Sequence, residues 1–279
     1  MRTRTENKRF NLCRAATLLT AFALLGATTA SSGALKEIFV STKKIILADK
    51  NRSADLLLFN QSTSATSYRL SIVDMRMTEN GLLERLPANT KTDSSAKSLI
   101  RFAPQQVTLQ PGATQSIRIA ITPTPGLEPG EYRSHLQIEV VPTALPERLG
   151  DENVVSIRFN MVAAISLPVI YRAGKTLATA ELTDVAVSAS AFSATLRRTG
   201  NRSIRGDLSV YYEPGTGKKR TRIGFIRELV VYVPNSSRQI ELPLTTPPLR
   251  NPGKGRYIAE FIESSTNGVR TTAIIGDKG

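Results

Sequence analysis

Residues 155–172 read VSIRFNMVAAISLPVIYR, with apolar side chains on every second position from Val155 through Ile157, Phe159, Met161, Ala163 and Ile165 to Leu167. Successive side chains of a β-strand point to opposite faces, so a period of two marks a strand with one apolar face. The other face begins polar at Ser156, Arg158 and Asn160 and turns small and apolar at Val162 and Ala164. The run is long against the usual ~5–6 residues of a strand. A strand of this kind either fills a sandwich core or offers its apolar face to a partner. Both roles fit here, with Ile165 and Leu167 as core and the earlier half presented.

On the N-terminal side, short extended stretches alternate with turn residues. IFVSTKKIIL from Ile38, Ala54–Asn60 and Tyr68–Val73 read as strands, separated by Asp49-Lys-Asn and Gln61-Ser-Thr-Ser. Asn80-Gly81 marks a turn, and 87–98 reads as a polar loop. Leu99–Ile121 is interrupted by Pro104 and by a tight turn at Pro111-Gly112, and Glu131–Val141 is a further strand. Beyond Arg172-Ala-Gly-Lys, which reads as a hinge, strands are expected at Glu181–Val187, Ser193–Arg197, Asp207–Tyr212, Ile223–Val233, Arg238–Leu244, Tyr257–Ile262 and Val269–Ile275. No convincing 3.6-residue period precedes residue 100. The fold class is all-β, with two sandwiches in sequence.

The 279 residues are 41% hydrophobic, enough for a real core, and carry a formal charge of +14. Arg2, Arg4, Lys8, Arg9 and Arg14 precede AATLLTAFALLGA (Ala15–Ala27) and a small-residue exit. This is the pattern of a secretory signal, cleaved after Ala30 or Ala34, and its apolar run is short for a bilayer span. Residues 1–34 hold five basic side chains and Glu6, so the exported part keeps +10 of the +14. The charges are scattered and no basic–aromatic cluster appears, which argues for a solvated basic surface and against nucleic acid.

Cys13 and His135 are the single cysteine and histidine. Intramolecular disulfides and multi-His or His–Cys metal constellations are therefore excluded. No Gly-x-Ser-x-Gly elbow supports a triad on His135. Gly215-Thr-Gly-Lys-Lys resembles a phosphate loop but lacks the first glycine and the Ser/Thr, and reads as a hairpin tip. No catalytic residue, metal or cofactor is assigned, and the chain is not expected to be an enzyme.

Pro104–Ile119 (PQQVTLQPGATQSIRI), the long alternating strand, its closing Tyr171-Arg172 and the leader together resemble the PapD-like periplasmic chaperones that assemble pili, in a divergent branch. The resemblance covers residues 38–172 well; beyond them it extends to length and strand character only. It implies a signal peptide (1–34), an immunoglobulin-like N-terminal domain carrying the donor strand (35–170) and a C-terminal β-sandwich (171–279), set in an L or boomerang. It further implies a periplasmic protein that caps pilin-like subunits by donor-strand complementation and delivers them to an outer-membrane usher. The lent face would be Ile157, Phe159, Met161 and Ala163. Of the basic pair that grips a subunit's carboxylate in this family, Lys44 matches the first member. Pro168 stands at the second, leaving Arg133 as the candidate replacement and Arg172 as an interdomain salt-bridge residue. No stable membrane insertion is expected once the leader is removed, and self-association while idle stays open. The competing reading is an exported structural or adhesive sandwich protein of the cell surface.

Overall fold

The computed structural model describes residues 38–141, 164–188, 190–215, 217–244, 255–264 and 268–276. Residues 1–37 and 142–163, the latter with the expected donor positions Ile157, Phe159, Met161 and Ala163, lie outside the described residues.

Every regular element among the described residues is a strand. The first eleven are β1 (Ile38–Val40), β2 (Ile45–Ala48), β3 (Ser53–Asn60), β4 (Thr66–Val73), β5 (Met75–Met77), β6 (Leu83–Arg85), β7 (Ile100–Ala103), β8 (Gln106–Leu109), β9 (Thr114–Ile121), β10 (Gly130–Val141) and β11 (Ala164–Ala173). A four-stranded sheet in the order β1-β3-β9-β7 faces a five-stranded sheet in the order β2-β11-β10-β4-β8. Period-two alternation puts Leu56, Leu58, Ile117 and Ile119 of one sheet against Tyr68, Leu136, Ile138, Leu167 and Val169 of the other. The stretch IFVSTKKIIL, read as one strand, divides between the sheets: β1 runs antiparallel to β3, and β2 runs parallel to β11. The bend between them is held by the Thr42 hydroxyl, which donates to the Lys44 carbonyl at 2.8 Å.

The second sandwich contains β12 (Ala178–Val187), β13 (Ala191–Gly200), β14 (Ile204–Glu213), β15 (Thr221–Val231), β16 (Ser237–Pro243), β17 (Arg256–Glu263) and β18 (Arg270–Ile275). Its sheets, β12-β13-β16 and β15-β14-β17-β18, enclose Phe192, Leu196, Leu208, Val210, Val231 and Phe261. Each strand expected after residue 175 is present, longer or shorter by a few residues. The Gly215 segment is a turn between β14 and β15, where Gly217 N–H donates to the Glu213 carboxylate at 2.8 Å. That amide thus already has an internal anionic acceptor.

The hairpin β5–β6, turning at Asn80-Gly81, ties the two sandwiches together. The Asn235 amide donates to the Met77 carbonyl at 2.9 Å, and Gln239 N–H donates to the Glu79 carbonyl at 2.8 Å. Met77 and Ile170 are buried in the second core although their strands belong to the first half of the chain. No helix among the described residues is long and apolar enough to cross a membrane. No cluster of three or more metal-ligating acids, His or Cys was found among them.

Candidate functional site

Strand β11 is paired unequally along its two edges. On one side β10 accompanies it from Ala164 to Ala173. On the other, β2 pairs only with Val169–Arg172, so Ala164–Pro168 has no neighbour there among the described residues. Leu167 is buried in the first core and Ile165 packs against it, whereas Ala164 and Ser166 are exposed. Pro168 brings no N–H to the edge. An uncovered strand edge is a template for another chain's backbone.

A cleft of about 80 Å³ opens where β2 starts, between Lys44, Ile46 and Arg172 of the first half and Arg205, Tyr232 and Glu263 of the second. Cross-strand register explains who faces it. Ile46 lies opposite Ile170, and Ile170 opposite Arg133, so these side chains share the face of the five-stranded sheet turned away from the first core. Lys44 Nζ reaches Glu228 Oε1 at 3.2 Å, and Arg205 Nη1 stands 3.7 Å from the same oxygen. The hydrogen bond from Lys44 holds the Glu228 carboxyl below the usual carboxylate range despite partial burial, helped by Arg205 and Lys43.

Arg133 is on this face but not in the cleft wall. It is 7% exposed, and its guanidinium lies 4.1 Å from the Tyr232 ring centroid. Nη2 donates to the Met75 carbonyl at 3.1 Å, while Nε and Nη1 are buried with no hydrogen-bond partner among the described residues. Burial pushes its pKa down, against the pull of Tyr232, Glu131 and Asp74. His135, two residues on and 1% exposed, also has no hydrogen-bond partner for either nitrogen among the described residues. Burial, then Arg133, brings its pKa down to about 3, so it is neutral at ordinary pH.

Arg172 pairs at 3.0 Å with Glu131, its cross-strand neighbour on β10, rather than with a group of the second sandwich. The link across the junction is made by Glu131, whose other oxygen accepts from the Ser203 hydroxyl. Glu263 is held by Arg202 and by Val269 N–H; these partners outweigh burial, and its pKa falls. The structure thus brings Lys44 and Arg172 to the cleft and seats Arg133 behind Tyr232. Arg205, Glu228 and Tyr232 were not singled out in the sequence. They sit in ordinary strand patterns with nothing local to announce a cleft.

No protein-family model matches the sequence, and neither does any curated protein. Solved structures do resemble the chain. The YadV chaperone is 11% identical with a TM-score of 0.44, covering 86% of this chain and 100% of that one. The CupB2 chaperone of Pseudomonas aeruginosa is 14% identical with a TM-score of 0.43, over 86% and 100%. A chain of the Salmonella enterica complex of SafA pilin with the SafB chaperone is 14% identical with a TM-score of 0.45, over 85% and 96%.

Proposed function

We propose that this chain is a periplasmic chaperone that covers the unpaired sheet edge of a pilin-like subunit with β11 and the residues preceding it, and passes the subunit to an outer-membrane usher. The observation that carries the reading is the open edge at Ala164–Pro168, in line with β2 and ending at a cationic cleft.

The geometry supports one polarity for such a guest. β2 runs parallel to β11. A guest strand on the same edge, also parallel, would point its C-terminus at Lys44, and its carboxylate would meet Lys44, Arg205 and Arg172. An antiparallel guest would bring an ammonium to those cations. A free C-terminal carboxylate is therefore the better-matched end. Lys44 is its first partner in this reading. Arg133 has unpaired N–H groups to give but reaches the guest only if Tyr232 moves aside.

Ile157, Phe159, Met161 and Ala163 would supply the side chains inserted into the subunit's groove. Each large one contributes roughly 1.5–3 kcal/mol when buried. The chain boundaries proposed are a leader at 1–34, a donor-strand domain at 35–170 and a second sandwich at 171–279. Exchange of the lent strand for another subunit's extension would release the client without a nucleotide.

The test is recovery of the tagged protein from the periplasm of its own host. The expected result is a stoichiometric small β-rich partner, lost with Met161→Asp and weakened by Lys44→Ala or Arg133→Ala. Recovery of the protein alone, or as multiples of itself, would overturn the chaperone reading and support a structural sandwich protein of the cell surface.

A further inference from the structure

The carboxylate that meets Lys44 comes from the chain itself, and an irregularity of the backbone delivers it. The register between β14 and β15 slips between Gly206 and Leu208. Beside the slip Glu228 takes a φ of 53°, a left-handed conformation that disfavours any residue with a Cβ. Its N–H is held by Asp207 Oδ1 at 2.9 Å. The bulge breaks the alternation of β15, so Glu228 turns toward Lys44 and Arg205 at the edge of the cleft while Leu229 next to it is buried in the second core. There one oxygen serves both Lys44 and Arg205, which arrive from different sandwiches.

The position is exchangeable. The Glu228 side chain is 37% exposed, so it can rotate into water without leaving a buried charge behind. Asp207 holds its main chain rather than its carboxylate, which leaves the side chain free to move.

We propose that Glu228 is an internal stand-in for the carboxylate of a guest strand, neutralising Lys44 and Arg205 in the free protein and giving way to a chain end that brings its own carboxylate. This rests on the guest-strand reading above and adds a selection rule to it. A guest end without charge cannot replace Glu228, because Lys44 would exchange an ionic partner for a neutral one. Glu228 thus sets a threshold that favours true C-termini over internal loops or blocked ends.

Two fluorescent peptides of alternating valine and threonine, identical except for a free or amidated C-terminus, test this by anisotropy against the intact protein. Removing the competing carboxylate with Glu228→Gln should tighten the free-acid peptide by about two- to fivefold, the range of a partly exposed ion pair. The amidated peptide should bind parent and variant alike. Glu228→Gly, which suits the left-handed backbone, gives the same readout should the glutamine variant fold poorly. Equal or weaker binding of the free acid by both variants overturns the stand-in while leaving the guest-strand reading intact. Failure of the free-acid peptide to bind any folded form overturns both.

Discussion

Lys44 and Glu228 are 184 residues apart in sequence and 3.2 Å apart in space, one in each sandwich. Their side chains are 30% and 37% exposed, so solvent screens the pair and its contribution to stability is about 0.2–1 kcal/mol. Lys44→Gln should therefore shift a denaturant midpoint only slightly. A larger loss in chemical denaturation would mean that Lys44 has a structural role beyond the ion pair.

His135 governs the response to mild acid. An unfolded histidine takes up a proton near pH 6.5, whereas the buried ring resists until about 3. Between those values the unfolded chain binds the extra proton, so stability falls as pH is lowered, by about 2 kcal/mol at pH 5. Thermal melts at pH 7 and 5 should show the loss, and His135→Leu should remove most of it. An equal loss in the leucine variant would contradict the assignment.

Stronger acid has a second effect. Asp49, Glu213, Glu228 and Glu263 have lowered pKa values, through Tyr171, Arg256 and Lys44 for the first three and through Arg202 against burial for the last. Stability from these groups is complete above the ordinary carboxylate range of about 3.9–4.3 and disappears as pH falls through their lower folded values. A titration followed by circular dichroism should show a separate, steeper decline below that range. His135→Leu should leave that part unchanged.

Leu167 and Met161 separate the core part of the long alternation from the part proposed for lending. Leu167 is 2% exposed in the first core, so Leu167→Ala should destabilise the protein by about 2–5 kcal/mol. Met161→Asp should leave the melting temperature unchanged and abolish client capture. Unfolding by the aspartate would place Met161 in the core instead.

Gly81 has a φ of +83°, and a Cβ there would lie 2.1 Å from Arg238 Nε. Gly81→Val strains the backbone and pushes Arg238 aside at the point where β5–β6 seats on the second sandwich. It should cost about 1–3 kcal/mol, seen in denaturation, and raise protease sensitivity in 78–82. An unchanged variant would show that the hairpin contributes little to joining the sandwiches.

Much of the fold was legible because alternation and turn chemistry are local. The second sandwich was readable strand by strand: Ile240 and Leu242 in β16, or Tyr257, Ala259 and Phe261 in β17, alternate inward as their spacing implies. The division of IFVSTKKIIL was not legible, since Val40 and Ile45 carry the same β preference and a switch of sheets is decided by partners. β5–β6 escaped for a related reason. Only the Asn80-Gly81 turn signals it, and its flanks lack a clean apolar period. For the site, Lys44 and Arg172 were reachable from the sequence and do reach the cleft. Arg205 and Glu228 were not, because a bulge between β14 and β15 decides where Glu228 points.

Ile170 has a consequence for how the molecule melts. On β11, Val169 and Tyr171 point into the first core while Ile170 between them is part of the second. One strand thus belongs to two hydrophobic interiors, and neither can come apart without disturbing the residue beside it. Calorimetry should record one transition for the two sandwiches, with matching van't Hoff and calorimetric enthalpies. A guest that clamps β11 should then raise the melting point of both halves together.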